Sequence, residues 1–101
     1  MSSPAADVTT DLLRARDPQA QPSDLLPLAA HRESAVRAVV AARPDCPVAA
    51  LTSLGHDPHL DVLRALLSNP RTPASVVRRL ADHRDPRVSE IAVQRLRNSF
   101  R

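Results

Sequence analysis

All 14 basic residues of the chain are arginines, and they are the side chains with the most chemistry to offer. Arg71, Arg78, Arg79, Arg84 and Arg87 gather in one stretch, and Arg95, Arg97 and Arg101 follow. A guanidinium group forms planar, paired contacts with carboxylates and phosphates, so Arg71, Arg78, Arg79, Arg84 and Arg87 are the candidate binding residues. Residues 1–50 carry five Arg against six acids and residues 51–101 nine against five, which makes the halves −1 and +4. The pI near 10.9 overstates this basicity, because the formal charge is only +3 and no Lys or Tyr titrates in the alkaline range. An all-arginine basic set is equally what a GC-rich coding bias would leave on a solvated surface.

The remaining reactive side chains offer less. His31 and His83 stand at the same place in a repeated pattern, with Asp57 between them. Two steps of about 10 Å separate them, too far for one ion whose ligands sit about 2 Å away. His56 and His59 could share a helical turn, but no third strong ligand is placed beside them, and no metal site is expected. The single cysteine, Cys46, excludes an intramolecular disulfide and a cysteine cluster. It stands where a helix N-terminus could activate a thiolate, although a replaceable small residue fits as well. Asp82, His83, Arg84 and Asp85 are polar neighbours without a nucleophile, and one glycine cannot build a phosphate loop. No reaction and no cofactor are expected.

The elements that must position these residues follow from a period. Pro18, Pro44 and Pro70 are 26 residues apart, and the positions behind them align without a gap. The aligned columns are Leu25, Leu51, Val77; Leu28, Leu54, Leu80; Ala29, Gly55, Ala81; Val36, Val62, Val88; Val39, Ala65, Ile91; and Val40, Leu66, Ala92. Such a period marks a stacked array whose units bury their apolar faces against their neighbours. The expected fold is all-α, a short solenoid of about three 26-residue helical units, each with two helical pieces joined by proline turns. A flexible tail over 1–6 precedes a single domain over 7–101. That domain divides into a cap helix over 7–16 with Asp7 as its N-cap, units over 17–42, 43–68 and 69–94, and a C-terminal cap over 95–101 that includes Phe100.

Local signals place the pieces. Thr72 with Pro73 and Asp85 with Pro86 read as N-cap and first helical residue, and Cys46 with Pro47 and Asp57 with Pro58 open the matching pieces of the middle unit. Pro22 and Pro27 crowd the first unit, so residues 23–31 read as partly 3₁₀. The small column Ala29, Gly55, Ala81 suits close approach of neighbouring helices, or for Gly55 a helix C-terminus that prefers glycine. With no basic start followed by an apolar run and no stretch of about 18 apolar residues, the chain is expected to be cytoplasmic and free of membrane.

Asn69, Pro70, Thr72, Pro73, Leu80, Ala81, Asp82, Asp85, Pro86 and Val88 together resemble the leucine-rich repeat variant family, a relative in style of HEAT-like helical repeats. Arg43, Pro44, Leu51, Leu54, Asp57, Val62 and Pro18, Leu25, Leu28, Val36, Arg37 are weaker copies. The resemblance implies alternating α and 3₁₀ helices in a right-handed superhelix. Some members carry an iron–sulfur module with several cysteines, which Cys46 alone does not support. The family's arginine after the valine survives only as Arg37, with Leu63 and Ser89 in its place elsewhere. The expected function is a monomeric, non-catalytic module that binds a protein partner through the arginine-rich surface. The alternative is a nucleic-acid- or ribosome-associated accessory protein that sets the same patch against phosphates.

Overall fold

The computed structural model describes residues 4–99, with side chains from Val8 onward. Phe100 and Arg101, and with them the expected end contact of Phe100, lie outside the described residues, as do residues 1–3 of the expected tail and the side chain of Asp7. The described residues form seven helices and no strand: α1 Pro4–Arg16, α2 Pro22–Ala29, α3 Ser34–Ala42, α4 Val48–Leu54, α5 Leu60–Ser68, α6 Ala74–Leu80 and α7 Pro86–Ser99. The all-α expectation holds. Helix α1 starts at Pro4, so Asp7 lies inside it rather than capping it, and α7 runs through residue 95 without a break.

The longer helices α1, α3, α5 and α7 pack each on the next, and the shorter α2, α4 and α6 lie against the helices that follow them. The result is elongated, 50 × 26 × 16 Å. One apolar core runs through it. Leu25, Leu51 and Val77, then Leu28, Leu54 and Leu80, then Val36, Val62 and Val88, then Val40, Leu66 and Ala92 are all buried, as their alignment predicts. The column Val39, Ala65, Ile91 departs from this: two are half-buried and Ile91 is exposed. At about 100° per residue, the buried set Val36, Val40 and Ala41 centres well over 90° from Val39, which puts that column on the outer rim.

The short helices are α-helical throughout, so of the expected partly 3₁₀ stretch over 23–31 only the closing turn at Ala30 and His31 has the tighter bonds. Pro22 takes the first position of α2, where its missing N–H is no loss, and Pro27 falls in its second half, where one bond is forgone. Tight bonds from residue i to i−3 do appear, just beyond each short helix. They are Ala30 to Pro27 and His31 to Leu28, His56 to Ser53 and Asp57 to Leu54, and Asp82 to Arg79 and His83 to Leu80. Each closing turn is then held by a side chain: His31 Nδ1, Asp57 Oδ1 and His83 Nδ1 accept from the N–H two residues ahead, at 3.0, 2.9 and 3.0 Å.

The N-cap readings divide. Asp85 accepts from Arg87 N–H ahead of Pro86, as expected. In α4 and α6 the prolines themselves, Pro47 and Pro73, are the cap residues, and α5 begins at Leu60 behind His59. Thr72 does not cap α6. It is buried, and its hydroxyl donates to the Leu66 carbonyl at 2.7 Å, closing the end of the preceding helix. Gly55 has φ −63°, an ordinary helical value, so a left-handed turn is not its reason. A Cβ there would lie 2.9 Å from Val76 Cγ1 and 2.5 Å from Arg79 Nη2, so the close approach of α6 demands glycine.

Candidate interaction surface

The arginines fall into two groups that composition cannot separate. The first is built into the scaffold. Arg43 Nη1 donates to the carbonyls of Ala15 and Asp17 at 2.8 and 2.7 Å. Arg95 Nη1 donates to those of Leu67 and Asn69, both at 2.7 Å. Between them, Asn69 Nδ2 donates to Ala41 and Arg43 at 2.7 and 2.8 Å. Each donor reaches the carbonyls 26 and 28 residues behind it. Those carbonyls end α1, α3 and α5; those of Asp17, Arg43 and Asn69 also accept from the turns that follow, whereas for Ala15, Ala41 and Leu67, where no intrahelical donor remains, the column supplies the missing partner. Burial pushes the Arg95 pKa down from its usual value.

Arg37 is also structural. Its Nε and Nη2 donate to Asp57 Oδ2 and Oδ1 at 2.6 and 3.2 Å, and its Nη1 donates to the carbonyls of His31 and Arg32. Burial is the largest influence on the Asp57 carboxylate and works against it, but the hydrogen bonds from Arg37 and from the His59 N–H, with the neighbouring positive charge, together outweigh it and hold the group below its ordinary range. The equivalent place 26 residues earlier holds the exchanged pair, His31 Nε2 at 2.8 Å from Asp11 Oδ2. The third place pairs Leu63 with His83 and carries no polar link among the described residues.

The second group is the set named from sequence. Arg71, Arg78, Arg79, Arg84 and Arg87 are all exposed. They do not converge on one point. Arg71 lies before α6, on the side of Asp45, whose carboxylate is held low by the hydrogen bond from Arg43 and, more weakly, by the charge of Arg71. Arg78 and Arg79 stand on the last turn of α6, about 10 Å along its axis. Arg84 is in the turn that follows, and Arg87 Nη2 is taken up by Asp85 Oδ2 at 2.9 Å. Arg78, Arg79 and Arg84 enter none of the ion pairs among the described residues.

Cys46 is buried, and burial pushes its thiol up to about 11, the reverse of an activated thiolate. Among the described residues, no group of three or more His, Cys, Asp or Glu side chains is placed to hold a metal ion. No helix among them is long and apolar enough to cross a membrane. An open groove of about 600 Å³ runs along α7 beside Ile91 and Gln94; of the two charges at its wall, Glu90 and Arg95, the arginine is already committed to backbone carbonyls. A smaller hollow of about 180 Å³ lies between α2 and α4, lined by Leu26, Ala29, Ala30, Ala49, Ala50 and Ser53.

The scaffold donors Arg43, Asn69 and Arg95 were the residues that sequence reasoning missed. Their signal is a donor ahead of the turn proline, Arg43 before Pro44 and Asn69 before Pro70, but Arg95 has no proline after it.

This arrangement is that of a helical repeat chain, and the comparison with known families agrees. Residues 35–59, which carry Arg37, Arg43, Gly55 and Asp57, match the leucine rich repeat variant family. No curated protein and no solved structure matches the chain.

Proposed function

We propose that this chain is a small interaction module that binds a protein partner and carries out no reaction of its own. In this reading it is a right-handed solenoid of three 26-residue units, monomeric and cytoplasmic. The observation that carries the proposal is the division of the arginines. Arg37, Arg43 and Arg95 are consumed by the scaffold, whereas Arg78, Arg79 and Arg84 stand exposed without an acidic partner among the described residues. An exposed guanidinium on an ordered helix is a good interface anchor, since its planar fork is pre-organised to pair with a carboxylate and its backbone is already fixed.

The alternative, phosphate binding, is disfavoured by the face itself. A nucleic-acid track would repeat its charge along the array, yet the equivalents of Arg78 and Arg79 are Thr52 and Ser53, then Leu26 and Pro27. No Tyr or Trp is present to stack on bases. The monomer reading is supported by Asp17. It occupies the donor column in the first unit and has no N–H in its carboxylate to offer the end carbonyls of a second copy.

The test is affinity capture with the intact chain, with and without nuclease, washed at low and high salt. A protein retained through nuclease and salt, and lost from an Arg78→Ala/Arg79→Ala variant, is the expected result. Recovery of nucleic acid, with binding abolished by digestion, would replace this reading with the phosphate one.

A further inference from the structure

We infer that the partner is engaged through a peptide segment pairing one apolar anchor with acidic residues, laid across the outer face of α2, α4 and α6. The inference rests on the protein-binding reading and names the surface and the chemistry that reading leaves open.

The face is built from aligned positions. Leu26, Thr52 and Arg78 are one column and Pro27, Ser53 and Arg79 the next, and all six are exposed. Along it the chemistry changes from apolar to basic. At the α2–α4 end, Leu26 is 47% exposed and Val48 51%, and the small side chains of Ala29, Ala49 and Ala50 leave the hollow of about 180 Å³. Small-molecule sites run from about 300 to 1,000 Å³, so this one suits a single side chain rather than a metabolite or cofactor. At the α6 end stand Arg78 and Arg79. The Arg79 guanidinium folds back towards α4, with Nη2 2.5 Å from where a Cβ of Gly55 would stand. The charge therefore sits at the contact of α4 with α6, one helix from the hollow between α2 and α4. Asp82, the acid nearest in sequence, forms no ion pair with either arginine.

These two features select the occupant. An apolar hollow alone would take any greasy segment, and two arginines alone any anion. Together they require both in one ligand, at a fixed spacing. One helix-to-helix step is about 8 to 10 Å, which an extended peptide covers in about three residues. A phosphate backbone offers no anchor for the hollow, and a purely apolar segment leaves the arginines desolvated without partners.

The experiment is selection of random displayed peptides on the intact chain, followed by affinity measurement of the winners by fluorescence anisotropy. The expected winners carry Leu, Met or Phe with Asp or Glu about three residues away. Their affinity should fall about tenfold or more for Arg78→Ala/Arg79→Ala and for Ala49→Glu, which sets a like charge in the hollow. Arg97→Ala, exposed on α7, should leave it unchanged, and circular dichroism should show all variants folded. Winners without acids, or winners blind to both variants, would overturn the inference. Capture of a nuclease-resistant partner equally by wild type and Ala49→Glu would also overturn it while leaving the protein-binding reading intact; failure of all protein capture would remove that reading itself.

Discussion

Asn69 Nδ2 lies 2.7 Å from the carbonyl oxygen of Ala41, 28 residues behind it, and the pair is buried. Arg43 makes the same reach to Ala15 and Arg95 to Leu67. Three donors of two kinds thus play the same part, since each closes the end of a long helix and ties it to the next, Arg43 and Asn69 from the turn that follows that helix and Arg95 from within α7. Packing alone would leave those carbonyls unpaired, at about 1–3 kcal/mol for each buried group.

Asn69→Ala should therefore lower stability by about 1–3 kcal/mol, while Arg97→Ala, on the exposed side of α7, should stay within about 0.5 kcal/mol. Urea unfolding of the two variants checks this. Equal midpoints would mean that the column carries no weight.

Gly55→Ala would normally favour a helix by about 1 kcal/mol. Here the added methyl meets Val76 Cγ1, and although Arg79 can swing aside, a packed valine cannot. The substitution should destabilise by about 1 kcal/mol through overpacking. The first unit shows the compensating arrangement, with Ala29 in the glycine column and Ala50 in place of Val76. Gly55→Ala combined with Val76→Ala should accordingly lose less than the sum of the single losses, by about 1 kcal/mol in a double-mutant cycle. Strict additivity would deny the contact.

Acid should weaken the link between Arg37 and Asp57. The folded-state pKa of Asp57 lies below the ordinary 3.8, so the unfolded chain takes up this proton first as pH falls. Its contribution to stability is complete well above 3.8 and is lost as pH drops through that value towards the folded pKa. Asp57→Asn should flatten the loss of stability over that range. Asp45, held low by Arg43, and Asp85, held low by Arg87, should preserve part of the slope. An unchanged slope in Asp57→Asn would contradict the assignment.

The Cys46 thiol, pushed up to about 11 by burial, should react slowly with alkylating reagents at neutral pH in the folded chain and rapidly once urea exposes it. Comparable rates in both states would show the site to be open.

Much of this was legible in the sequence because burial in a stacked array repeats with the unit. Leu25, Leu51 and Val77 align and share one environment. The period says that aligned residues share a face but not which face, so Val39, Ala65 and Ile91 read as core although they sit on the rim. Thr72 ahead of Pro73 has cap chemistry, and only the packed structure shows its hydroxyl turned back to Leu66. The donor column was hidden for another reason. Asp17, Arg43, Asn69 and Arg95 look unrelated as letters, and what the last three share, an N–H that reaches backbone carbonyls, is a property of geometry. The exposed arginines were legible as residues, whereas their separation into three places around α6 was not.

The most direct test of the account is the affinity of the captured protein for wild type and for the Arg78→Ala/Arg79→Ala variant, measured after nuclease treatment at low and high salt. The expected result is a loss of about tenfold or more at low salt and a smaller loss at high salt, where exposed charge pairs are screened, with the variant as stable as wild type. Equal affinity for the two chains, or binding that vanishes once nucleic acid is digested, would contradict it.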